Sequence, residues 1–156
     1  MRTLLAAALV AGPIGAWHDA HTHLTLRYPA ALDVTTSELT GITDPVERVA
    51  LYSGSPPNAT VAPRAHQVIA TLMEQEPPLP VEIAGFPPRP RHFRIQSLTG
   101  LEGFSGRRSA ELTFRDHHRA FYLFIGVGSR ADPQVPRLLR ALDSLRVGAK
   151  KERRRR

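Results

Sequence analysis

Hydrophobic residues recur along this chain mostly with a period of two, in short runs broken by proline and glycine, and near the end once with the period of a helix. Leu24, Leu26 and Tyr28 alternate with Thr25 and Arg27 as far as Pro29, which predicts an amphipathic strand ended by the proline. Residues 46–52, rich in Val, Leu and Tyr, follow the turn signal Thr43-Asp44-Pro45 and precede a loop holding Gly54, Pro56 and Pro57. They read as a second strand. Residues 66–76 suit either a helical stripe through Val68, Ile69, Leu72 and Met73 or a strand between Pro63 and Pro77, and we assign a strand.

Further on, Phe93 and Ile95 alternate with Arg94 and Gln96, and Leu112 and Phe114 alternate with Glu111, Thr113 and Arg115. Both patterns predict half-buried strands, with a Gly-rich turn at 100–106 between them. Residues 120–127 are apolar on both faces, as in a central strand covered from both sides. Phe121, Leu123 and Ile125 should then be among the most buried residues, with Tyr122 and Phe124 covered from the opposite face. The polar stretch between Phe114 and Phe121 predicts a short hairpin. Val135, Leu138, Leu139, Leu142 and Leu145 share one helical face, with Arg137, Arg140 and Asp143 on the other. Either Asp132-Pro133 or Val135-Pro136 starts that helix, and Gly148 is its natural stop. Residues 76–91 contain Pro77, Pro78, Pro80, Pro87, Pro88 and Pro90, each of which removes a donor and fixes φ, so this stretch reads as a stiff surface strap.

This order predicts an α+β fold. The expected architecture is a central antiparallel sheet of five to seven strands, the C-terminal helix lying on the sheet through Leu138, Leu142 and Leu145.

Composition narrows the chemistry. A chain of 156 residues with 42% hydrophobic content makes one core, and the absence of cysteine excludes disulfides, thiolate metal ligands and thiol catalysis. The net charge of +7 is misleading, because residues 150–156 supply five of those charges and hold both lysines of the chain. The rest is nearly neutral. No specific nucleic acid is therefore expected, and the tail at 149–156 allows at most a weak contact with an anionic surface. At the other end, Arg2 precedes an apolar stretch at 4–16 that follows the order of a secretory leader and is too short to span a membrane comfortably. The expected organisation is a leader at 1–16, one domain at 17–148 and a basic tail at 149–156, with the protein secreted or held in the cell envelope; the alternative is a buried N-terminal helix in a cytoplasmic protein.

The opening Leu24-Thr-Leu-Arg-Tyr-Pro29, the aromatic strand at 121–127 and the closing Leu139-Arg-Ala-Leu-Asp-Ser-Leu-Arg-Val147 resemble PsbP-like and Mog1-like domains, closest to short exported actinobacterial proteins of that type. The resemblance covers roughly residues 24–147. It implies a sheet with helices packed on its faces and an accessory or partner-binding role, and it transfers no catalytic motif.

Two clusters could carry chemistry. Asp19-Ala-His21-Thr-His23 resembles the opening metal signature of amidohydrolases, since His at i and i+2 on a strand project to one face, and His18 lies beside it. Against it, the barrel of those enzymes needs ~250 residues, and no mid-chain lysine exists to bridge metals. His66, His92, His117 and His118 lack matching surroundings. The second cluster, Arg115-Asp116-His117-His118-Arg119, reads as a polar rim, and no nucleophile elbow or phosphate loop accompanies it. The sequence therefore points to a non-enzymatic, cofactor-free domain that binds a protein partner through Arg115, Asp116, His117 and Arg119, joined by Arg89 and Arg91 of the strap; the alternatives are a metal-binding hydrolase built on Asp19, His21 and His23 and a binder of anionic surfaces through the basic tail.

Overall fold

The computed structural model describes residues 13–36, 45–54, 64, 66–77, 79, 81–95, 99–101, 108–128 and 133–149. Most of the leader expected at 1–16, the turn at 100–106 and the basic tail lie wholly or largely outside them. Strand β1 (Ile14–Asp19) pairs antiparallel with β2 (Leu24–Pro29), and β2 pairs with the two-residue β9 (Arg146–Val147). A second antiparallel sheet contains β3 (Asp33–Thr35), β4 (Val46–Tyr52), β5 (Val68–Gln75), β6 (Thr99–Leu101), β7 (Arg108–Asp116) and β8 (Arg119–Val127), in the order β3-β4-β5-β8-β7-β6. The helix α1 (Gln134–Asp143) lies against β2 and β5.

The fold is therefore mostly β, with two antiparallel sheets and one α-helix among the described residues, and not the helix-packed α+β sandwich expected. The physical reason is in the periodicity: among the described residues one stretch carries a helical stripe, while the apolar runs Val46–Tyr52, Val68–Gln75 and Arg119–Val127 each find antiparallel neighbours. The expectation of several helices came with the resemblance. Individual elements agree more closely. Strands β2 and β4 cover 24–29 and 46–52, and residues 66–76 do hold a strand.

Strict alternation builds the core. Val68, Ala70 and Leu72 of β5, Phe121, Leu123, Ile125 and Val127 of β8, and Phe114 of β7 turn one face of the larger sheet inward, each at most 3% exposed. Leu24 and Leu26 of β2 and Val135, Leu138, Ala141 and Leu142 of α1 close over that face, with Leu145 just past the helix. Tyr122 and Phe124 are half-buried on the reverse face, where Phe86 meets Tyr122 edge-on at 5.2 Å. Burying side chains of this size contributes about 1.5–3 kcal/mol each, so this core dominates stability.

Three further readings are corrected. Phe93 and Ile95 lie outside the strands, because Asp143 takes the Phe93 N–H at 2.8 Å and the ring turns down onto Phe114. The helix stops at Asp143, where Ser144 Oγ donates to the Ala141 carbonyl and accepts the Arg27 N–H. Gly148 serves a close approach, since its N–H bonds the His23 carbonyl and a Cβ there would lie 2.8 Å from His23 Cβ. The proline-rich strap is not uniformly extended, as its proline-free stretch Val81–Gly85 winds into a 3-10 turn. A cut after Ala16 would divide β1, whose Ile14, Gly15 and Ala16 pair with Pro29, Tyr28 and Arg27.

The β7–β8 connection is a two-residue turn with His117 and His118 both at positive φ (49° and 58°), the pattern of a type I′ hairpin. A side chain in this region costs about 1–2 kcal/mol, which histidine tolerates better than branched residues. His118→Gly is expected to raise stability by up to about 1 kcal/mol in urea denaturation, the relief of strain being partly offset by added freedom of the unfolded chain.

Candidate functional site

The chemistry-bearing side chains gather at one end of the molecule, where the β1–β2 turn, the β7–β8 turn and the strap meet. Two layers can be separated there, one buried and one exposed.

The buried layer centres on Glu74. On β5 it continues the inward series Val68, Ala70, Leu72, and its register partner on β8 is Phe121. Arg119 continues the inward series of β8 in the same way. The two meet as a bidentate pair, Arg119 Nε donating to Glu74 Oε1 (2.8 Å) and Nη2 to Oε2 (2.9 Å). Arg48 approaches from β4, where the register slips between Glu47 and Val49 so that Arg48 is the extra residue of a bulge. Its Nε donates to Glu74 Oε2 (2.7 Å) and its Nη2 to Glu76 Oε1 (2.5 Å). Two cations and two carboxylates thus neutralise one another with Arg48, Glu74 and Arg119 almost fully enclosed. Arg119 Nη1 also donates to the carbonyls of Thr22 (2.7 Å) and Gly148 (3.1 Å), which ties the β1–β2 turn and the residue after β9, at one end of the smaller sheet, to the larger one.

From this cluster a row of rings leads toward the surface. Arg119 lies over the Phe121 ring (5.3 Å), Phe121 stacks on Phe114 (5.2 Å), Phe114 meets Phe93 edge-on (5.8 Å), and Arg89 lies over Phe93 (5.7 Å). The row begins and ends on a guanidinium and runs from β8 through β7 into the strap.

The exposed layer is the strap itself. Arg89 N–H bonds the Arg115 carbonyl (2.9 Å) and Arg115 N–H bonds the Pro87 carbonyl (2.8 Å), so Pro88 pairs as a short parallel bridge along β7. Phe86 holds the strap on one face of the sheet and Phe93 on the other, so the strap wraps the edge of β7. Arg89 Nη2 donates to the Asp143 carbonyl, and Nη1 lies 3.7 Å from Asp116 Oδ2. His92 Nδ1 lies 3.2 Å from Asp143 Oδ2, and His117 Nδ1 lies 2.7 Å from Asp116 Oδ1.

Of the residues expected at a partner surface, Arg89, Asp116, Arg115, His117 and Arg91 converge here, with His117 and Arg91 exposed and the others half-buried. Arg119 does not belong to it. It is 5% exposed, because two residues before Phe121 on a strand it shares the inward face. Glu74 and Arg48 were missed. The signal for Glu74 was a carboxylate at core parity at the end of β5, across from an arginine at core parity at the start of β8; for the Arg48 bulge the sequence carries no such mark.

The Asp19, His21, His23 group folds as a turn rather than a strand, so the two histidines do not share a strand face. Asp19 Oδ1 accepts the N–H groups of His21 and Thr22, and Oδ2 accepts the Thr22 hydroxyl at 2.5 Å. His21 and His23 are exposed, and His23 sits at φ 55°. Among the described residues no group of three or more His, Asp or Glu is arranged to hold a metal ion. Partial burial pushes the Asp19 carboxyl up, but the Thr22 hydroxyl, the two amides and the charge of Arg48 outweigh it, and its pKa is lowered from the ordinary 3.8. A carboxylate lowered on folding adds stability above its unfolded value, and that stability fades as pH falls through the lower folded value. Asp19→Asn is accordingly expected to melt at a lower temperature than the parent at pH 7, with the difference closing once the pH drops below 3.8. Melting curves of both proteins across pH check it.

The chain matches no protein-family model and no curated protein sequence.

Proposed function

We propose that this protein is a partner-binding domain whose working surface is the strap and the β7–β8 turn, with Arg91, Arg115 and His117 as contacts and Arg89 and Asp116 positioning them. The observation that carries the reading is the fastening of the strap: two backbone hydrogen bonds to Arg115 and a ring on each side of the sheet hold the chain that presents Arg91. Arginine on fixed backbone loses little freedom when it meets a carboxylate, so contact enthalpy is not consumed by ordering. The surface is mixed in sign but its most exposed groups are basic or imidazole, which suits an acidic protein surface.

The test is capture from host cells by the immobilised chain. Arg91→Ala with Arg115→Ala is expected to lower partner recovery at least about tenfold, the loss of two charge-assisted contacts. Arg137→Ala, on the exposed face of α1, should leave recovery unchanged. Equal recovery by the double variant would remove this surface from the reading.

A further inference from the structure

The two sheets end in four edges, and three of them are guarded. β3 and β6 are three residues long, and β3 opens on the exposed Asp33. The strap covers the part of β7 near Arg115, with a proline at the bridge. β9 is two residues long and carries the exposed Arg146. Short, charged or covered edges stop other chains from adding a strand. β1 has none of these devices. It is six residues long, no described strand pairs with its outer edge, and residues 14–18 (Ile-Gly-Ala-Trp-His) contain no lysine, arginine, carboxylate or proline. Ile14 is 66% exposed, and Ala16 and His18 are exposed on the same face. Every second residue of such a strand turns its N–H and C=O away from its neighbour, so β1 presents a row of main-chain groups that no described strand pairs.

We propose that β1 is a homodimer edge, two copies of this chain pairing β1 with β1 antiparallel about a two-fold axis perpendicular to the sheet. The second copy is favoured by self-complementarity. Such an axis keeps each face of the strand on its own side, so facing residues must share parity. Centred on Ala16, it sets Ile14 against His18 and Gly15 against Trp17 of the other copy. Two small methyl groups meet at the axis on the exposed face, while Trp17 and the Tyr28 ring that lies over Gly15 stay packed against the core on the other. No like charges are opposed, because the strand's one carboxylate, Asp19, lies across from Pro13. The contact joins two three-stranded sheets into one of six and uses the β1 edge of each copy, leaving the two-residue β9 strands outermost, so assembly stops at two chains. The edge is separate from the strap surface, and either reading can fail without the other.

A single edge pairing buries less than the ~1,200 Å² of a stable interface, which makes the dimer weak and dependent on concentration. Sedimentation velocity on the full chain from about 5 to about 500 µM should show mass rising from one chain to two. Ala16→Lys sets two ammonium groups at the axis and should weaken the dimer at least about tenfold, with an unchanged melting temperature. Ile14→Lys, farther from the axis, is the second variant. In the unaltered chain, hydrogen exchange at residues 14–18 should slow as concentration rises. A single-chain mass throughout, association equally tight in both variants, growth beyond two chains, or exchange at β1 indifferent to concentration would each overturn the proposal; the first would leave this edge to an extended peptide of another protein.

Discussion

Replacing Arg119 with alanine lowers the free energy of unfolding by about 3–5 kcal/mol in urea denaturation, the cost of leaving a buried partner charge uncompensated. For a chain of this length the melting temperature falls by roughly 10–15 °C. The expectation follows from what Arg119 holds. Without it, Glu74 loses its bidentate partner and keeps Arg48 as the neutralising neighbour among the described residues, and the Thr22 and Gly148 carbonyls lose their shared donor. The smaller sheet should loosen first. Removing both charges together is milder: Arg119→Met with Glu74→Met should recover a large part of the loss, since apolar side chains of similar size replace a buried pair at little net cost. Partner capture by Arg119→Ala at a temperature where it stays folded should match the parent, which separates a structural role from the surface role that the sequence suggested. A drop of less than about 1 kcal/mol would show that water reaches the cluster.

That misplacement shows how far the sequence could be read. β2 was legible because its alternation runs for five residues and has no helical equivalent over that length, and β4 and β8 because short runs of β-branched, aliphatic and aromatic residues are bounded by turn signals. Parity also marked Arg119 and Glu74 as inward, two positions outside Phe121 and Leu72, yet a charged residue at a strand end looks like the beginning of a turn. The decision needed the pairing of β5 with β8, and register between strands forty residues apart is a tertiary fact. Arg48 was hidden for a different reason, since a bulge breaks the alternation that reveals inward positions. Phe93 and Ile95 failed through brevity: two alternating residues were outweighed by the Asp143 carboxylate and the Phe114 ring. At the N-terminus, hydropathy ran unbroken from residue 4 to 16 and masked the point where β1 begins. Exposed Arg91 and His117 fell where expected because prolines and a two-residue polar turn fix loops locally.

Phe121→Ala is the second large effect, and it should be felt beyond the core. The side chain is fully enclosed, and truncating a buried phenylalanine costs about 3–5 kcal/mol in lost transfer energy and cavity. The cavity falls in the middle of the row that links Arg119 to Arg89, so the Phe114 ring loses its stacked neighbour and Arg119 loses the ring beneath it. Phe114 in turn supports Phe93, which holds the strap on the inner side of the sheet. The strap should therefore open more often. Amide exchange reads this directly, because the Arg89 N–H and Arg115 N–H are the two that bind the strap to β7. Both are expected to exchange faster in Phe121→Ala by more than the global loss of stability explains. Leu138→Ala, an equally buried truncation on α1, should lower stability by about 2–5 kcal/mol without that excess at the strap. If the two variants accelerate Arg89 and Arg115 alike, the ring row carries no special coupling and the strap stands on its hydrogen bonds alone.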